Sequence, residues 1–235
     1  MFWKSAIALG FFLFAPAFEL SAQTDVQPNG SAKGYTNDFS FETEDGRRVV
    51  PLPDGAWHHI FDEMKRETLT AGPYAETWDR KIIFLARAVS DRVTAIVVVD
   101  TNNSILPNWG LVPVDFCYSK QPNWNWHKQV SAIPNDTFCW GVRYIKFHEE
   151  PPSGTWSRVT DKFEKLGWIP PSGAGATHVA FFKSDKGTLL AIDYMFIGSK
   201  DGAPIHWQDA RNWAEGLIPR VIAGFKGKRV GDTGR

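Results

Sequence analysis

Residues 81–100, KIIFLARAVSDRVTAIVVVD, decide the fold class. Two runs rich in β-branched residues, Lys81 to Val89 and Val93 to Asp100, flank the short break Ser90-Asp91-Arg92. Such residues favour extended chain, and a short polar break between two of these runs closes an antiparallel hairpin. The second run is almost wholly apolar, so it belongs in the middle of a sheet, covered on both faces. Asn102 and Asn103 end it.

Leu111 to Tyr118 reads as a third strand and Thr137 to Phe147 as a fourth. In the fourth, Phe138, Trp140, Val142 and Tyr144 fall on one face, with Cys139, Arg143 and Ile145 on the other. Cys117 and Cys139, the two cysteines of the chain, then sit at strand ends around a tryptophan-bearing loop. Ser153 or Thr155 can cap a helix striped by Trp156, Val159, Phe163 and Leu166. Gly167 stands where a left-handed C-terminal cap is expected, and Trp168 where the chain folds back. A second hairpin follows: Thr177 to Lys183, the turn Ser184-Asp185-Lys186-Gly187, and Thr188 to Ile197. Trp207, Ala210, Ala214, Leu217, Val221 and Phe225 form a last helical stripe. Gly216 and Pro219 interrupt it, so one kinked helix and two short ones both fit.

Upstream, Arg47 to Leu52 reads as a strand ending at the turn Pro53-Asp54-Gly55. Trp57, Ile60, Phe61 and Met64 have helical spacing, yet the turn before them equally launches a strand. Residues 1–22 have a charged start, a short apolar core and a small-residue exit, the layout of a secretory signal peptide. Cleavage after Ala22 is favoured over cleavage after Ala17; an uncleaved anchor is the alternative, against which the run is short and broken by Pro16. Residues 23–40 read as a flexible lead-in, 41–226 as a single domain, and 227–235 as a frayed tail. An exported chain meets oxidising conditions, so a Cys117–Cys139 disulfide is expected, with two buried free thiols as the alternative. Lys plus Arg and Asp plus Glu number 26 each, so no net charge draws the chain to nucleic acid or an anionic membrane. The expected class is α+β: a mainly antiparallel sheet with two packed helices and one disulfide.

Several segments together resemble a group of uncharacterised exported proteins of Gram-negative bacteria, to which no activity is attached. They are Pro51-Leu52-Pro53-Asp54-Gly55-Ala56-Trp57, Cys117 with Cys139-Trp140, and Leu166-Gly167-Trp168-Ile169-Pro170. Ile192 to Phe196 and Trp213-Ala214-Glu215-Gly216-Leu217-Ile218-Pro219 complete the set. The resemblance implies a periplasmic, disulfide-bonded α+β domain, and it favours a strand at Trp57 to Glu63. It carries over no functional residue.

Candidate chemistry is sparse. Asp193 lies inside an apolar strand, where a carboxylate must be paired, hydrogen-bonded or protonated. With His178 or His206 it would make an acid–base pair; pairing with Arg143 is the structural alternative. Trp124, Trp126 and His127 alternate with polar residues in the cysteine-bounded loop, offering either a ligand platform or a lid folded back on the sheet. His58-His59 and His148-Glu149-Glu150 lack metal-site spacing, and Gly173-x-Gly175 lacks the context of a phosphate loop. No metal or cofactor motif is present. The functional expectation is an exported domain that binds a ligand or an envelope partner, such as an envelope protein or glycan, without catalysis. A small periplasmic hydrolase or acid–base enzyme using Asp193 with His178 or His206 is the alternative, and a structural cell-envelope assembly factor is the third reading. No stable membrane span is expected after signal removal.

Overall fold

The computed structural model describes residues 34–71, 74–104, 117, 124–133, 136–147, 154–198 and 205–230. The signal peptide expected at residues 1–22, the lead-in up to residue 33, the strand expected at Leu111 to Tyr118 (Cys117 apart), His148-Glu149-Glu150 and residues 231–235 of the tail lie outside them. The elements run β1 (Asp38–Thr43), β2 (Gly46–Pro51), β3 (His58–Ala71), β4 (Tyr74–Val89), β5 (Arg92–Asn102), β6 (Trp126–Ile133) and β7 (Asp136–Lys146). Then come α1 (Thr155–Lys165), β8 (Gly175–Asp185), β9 (Thr188–Ile197) and α2 (Trp207–Phe225). β1 and β2 form a separate hairpin, and the other strands make a seven-stranded antiparallel sheet in the order β3-β4-β5-β9-β8-β7-β6. With one disulfide, Cys117–Cys139, at a Cα–Cα distance of 5.4 Å, this is an α+β fold.

Turn chemistry closes both expected hairpins. Ser90 and Asp91 take φ of 48° and 67° between the paired residues Val89 and Arg92. Lys186 and Gly187 do the same at 48° and 80° between Asp185 and Thr188. Two successive left-handed residues match the twist of the flanking strands. The β8–β9 hairpin then inserts between β5 and β7, so β9 pairs with β5 and the most apolar strands become central.

Alternation along these strands sorts side chains onto two faces. One face carries Leu85, Val97, Trp140, Phe181 and Tyr194; α2 and the β1–β2 hairpin cover it through Leu217, Val221, Phe225, Phe39 and Leu52. Pro219 lies inside α2, which is one continuous helix. The other face carries Phe84, Ile96 and Met195 beneath Val159 and Phe163 of α1. Gly167, at φ 71°, ends α1 as expected. Gly167 N–H donates to Glu164 O (2.9 Å) and Trp168 N–H to Phe163 O (2.8 Å), the paired bonds of a Schellman cap. The expected serine or threonine N-cap differs: Gly154 holds the position with no side-chain bond, and Thr155 instead bonds Glu63 and Lys65 of β3.

One open reading is settled in favour of the strand, and three local expectations need correction. The helical spacing at Trp57–Met64 belongs to a strand with a register shift between His59 and Phe61. The shift sends both Ile60 and Phe61 towards α1, while Trp57 enters the opposite core and Met64 stays 49 % exposed. Residues Trp126–Ile133, expected within a loop, form edge strand β6 on β7, which also places Cys139 inside β7 rather than at its end. The described part of the lead-in is ordered rather than flexible: Tyr35 bridges Trp57, and β1 starts at Asp38 with Phe39 buried. At the far end, Gly227 and Lys228 still bond back to the last turn of α2.

Candidate functional site

On the sheet face that holds α1, polar residues make a diagonal strip across six strands. Glu67 stands on β3, Arg80 on β4, Asp100 on β5, Asp193 on β9, His178 on β8 and Arg143 on β7. The registers explain the alignment. Arg143 lies opposite His178, His178 opposite Met195, Asp193 opposite Val98, and Asp100 opposite Ala191. Each member is thus a direct or diagonal neighbour of the next, within reach of a long side chain.

Hydrogen bonding orders the Arg143–His178–Asp193 end. Arg143 Nε donates to His178 Nδ1 at 2.9 Å. A guanidinium can only donate, so Nδ1 accepts and the imidazole proton sits on Nε2. His178 Nε2 therefore donates to Asp193 Oδ1, 2.7 Å away. The imidazole is neutral in this arrangement, and it holds the carboxylate from behind. His178 is sealed, with 5 % of its side chain exposed, whereas Asp193 keeps 33 %. Trp124 lies against the Arg143 guanidinium, 4.6 Å from ring centroid to Cζ, and beside His178 at 5.6 Å. Gly141 makes room for that ring: a Cβ there would stand 2.8 Å from Trp124 Cε3. Burial pulls the Arg143 guanidinium below its ordinary range, and the charge of Asp193 works against that shift.

The other end is a paired network. Arg80 Nε donates to Asp100 Oδ1 at 2.7 Å, Arg80 Nη2 bonds Asp100 Oδ2, and Arg80 Nη1 donates to Glu67 Oε1 at 3.0 Å. The Asp100 bond holds Arg80 above its usual range. Burial pushes Asp100 up; Arg80 pulls it down, and the charges of Asp193 and Glu67 add to the upward push. Two carboxylates therefore sit on adjacent central strands, one clamped by Arg80 and one partly open.

Of the acid–base candidates, the structure brings Asp193 and His178 together and leaves His206 apart. His206 caps α2, its Nδ1 accepting from Gln208 N, and α2 packs on the opposite face of the sheet. The tryptophans also separate. Trp124 packs beside the disulfide cluster of Cys117, Cys139 and Phe182, while Trp126 packs at a tilt against Trp140, 4.1 Å between ring centroids, under Arg211 on the other face. They fold back against the sheet and share no common surface, because Trp124 precedes β6 and crosses over Gly141, whereas Trp126 opens the strand opposite Val142. His127, opposite Gly141, is half-buried on the edge strand. His58 meets Trp168 and His59 meets Phe39, on opposite faces. Among the described residues no group of three or more His, Cys, Asp or Glu side chains is placed to hold a metal ion, and no helix is long and apolar enough to cross a membrane. Sequence reasoning missed Asp100, although it ends an apolar strand just as Asp193 interrupts one. It also missed Arg80, which carries no local signal.

Comparison with protein families, curated proteins and solved structures finds no significant match to this chain.

Proposed function

We propose that this is an exported domain that binds a small polar ligand at Asp193 without transforming it. One observation carries the reading: Asp193 keeps a third of its side chain exposed while the sealed His178 fixes one carboxylate oxygen at 2.7 Å. A rigid acceptor with a satisfied rear is suited to recognition. Both imidazole nitrogens are engaged, one by Arg143 and one by Asp193, and the buried ring has no route to a bound molecule. That favours binding over proton transfer. The disulfide supports export to an oxidising compartment such as the periplasm. Kinship with the exported Gram-negative group is part of the same proposal and rests on the motifs quoted above. The test is native mass spectrometry of protein recovered, without denaturation, from an oxidising compartment. A ligand mass present in the wild type and absent in Asp193→Asn is expected; identical empty spectra would sink the reading.

A second reading draws on the same contact. With His178 orienting it, Asp193 would serve as the general base of a small hydrolase. Turnover of a chromogenic ester, phosphate or glycoside that disappears in Asp193→Asn would establish it in place of simple binding.

A further inference from the structure

Resting on the binding reading, we infer that the ligand at Asp193 is a zwitterion, with its ammonium group on Asp193 and its carboxylate on Arg143. Two opposite charges, each half-buried, stand here on either side of one neutral imidazole that bonds to both. The spacing is set by the β7–β8–β9 registers, so the dipole is preorganised rather than assembled by the ligand.

The Arg143 end is built for a carboxylate. Its Nε is used by His178, and its two Nη groups have no hydrogen-bond partner among the described residues. Trp124 lies against the guanidinium, 4.6 Å from ring centroid to Cζ, and shields one side of it from water through a cation–π contact. A planar fork of donors matches a carboxylate in two parallel bonds.

The Asp193 end is built for an ammonium. Oδ1 accepts from His178, and Oδ2 has no partner among the described residues. Both oxygens of Asp100 on the next strand are held by Arg80, so Asp100 contributes negative potential without competing for the ligand. The strip carries Glu67, Asp100 and Asp193 against Arg80 and Arg143, an excess of one negative charge concentrated beside Asp193. A neutral sugar brings no charge to either end, and a phosphate brings none of the sign that Asp193 attracts.

The test is isothermal titration of the full, disulfide-intact protein with L-alanine, L-lysine and L-alanyl-L-alanine. Each is compared with its N-acetyl and its C-terminal amide derivative, with D-glucose and inorganic phosphate alongside. At least one free zwitterion should bind, and removing either of its charges should weaken binding by about tenfold or more. Asp193→Asn should abolish the advantage of the free amine, and Arg143→Gln that of the free carboxylate. If Arg143→Gln does not fold, Arg143→Lys keeps the charge, loses the fork and should give a partial loss. Glucose or phosphate binding that Asp193→Asn abolishes would overturn the zwitterion while leaving the binding site standing. Binding of nothing in the panel, or binding indifferent to Asp193→Asn, would overturn both.

Discussion

Two glycines of α2 should respond to the same substitution with opposite sign. Gly224 faces β2, where an added Cβ would lie 1.9 Å from Val49 O and 2.9 Å from Val49 C. Ordinary van der Waals contact starts at 3.4 Å, so helix and strand must separate by more than an ångström. The obstacle is backbone in a paired strand, which has no rotamer to change. Separation loosens the neighbours that the close approach packs, Val221 and Phe225, both at or below 5 % exposure. Alanine gains about 1 kcal/mol of helix propensity over glycine. Overpacking costs roughly 1–3 kcal/mol in ordinary cores, and an immovable backbone group sits at the high end or beyond. Gly224→Ala should therefore lose about 2 kcal/mol or more net. Gly216 lies exposed in the same helix, and a Cβ added there would meet nothing within 4 Å, so Gly216→Ala should gain up to about 1 kcal/mol. Urea unfolding followed by tryptophan fluorescence measures both on one scale. A Gly224→Ala protein as stable as wild type would refute the close approach of α2 to β2.

Four further outcomes follow from Tyr194, the disulfide and His59. Tyr194, fully buried, donates its hydroxyl to Pro51 O at 2.7 Å, so Tyr194→Phe should cost about 1–2 kcal/mol in the same unfolding assay. Burial also pushes its phenol far above the usual range, and it should stay un-ionised in alkali until the protein unfolds. Replacing Cys117 and Cys139 by serine opens a loop with a sequence separation of 22 and should cost about 3 kcal/mol on loop-entropy grounds; an unchanged urea midpoint would contradict a stabilising cross-link. Burial holds His59 below its ordinary value of 6.5, with Asp62 partly offsetting and Lys81 adding to the shift. Its contribution is present above 6.5 and lost as pH falls through the folded value, because the unfolded chain takes up the proton first. His59→Gln should flatten the decline of Tm below that pH, and parallel profiles would show that His59 does not drive it.

Much of the local structure was legible. Residues Ser90-Asp91 and Lys186-Gly187 announce their hairpins because a two-residue turn depends on the φ of those residues alone. Gly167 announces the end of α1 for the same reason. His178 and Asp193 could be paired on paper because they lie 15 positions apart across one hairpin whose register the turn sets.

What the sequence by itself determined is thus the α+β class and every contact that a short turn fixes. The tertiary structure alone decided β6, whose Trp126–Ile133 becomes a strand only when β7 is there to bond it. It alone decided the shift in β3, where α1 and the opposite core claim neighbouring residues on the two faces. It also decided the site: Arg143 reaches His178 from 35 positions away, and Asp100 stands beside Asp193 because β9 pairs with β5. The physical reason is the same in each case. Turn geometry is a property of adjacent residues, whereas strand order and register follow from burying two faces of one sheet at once.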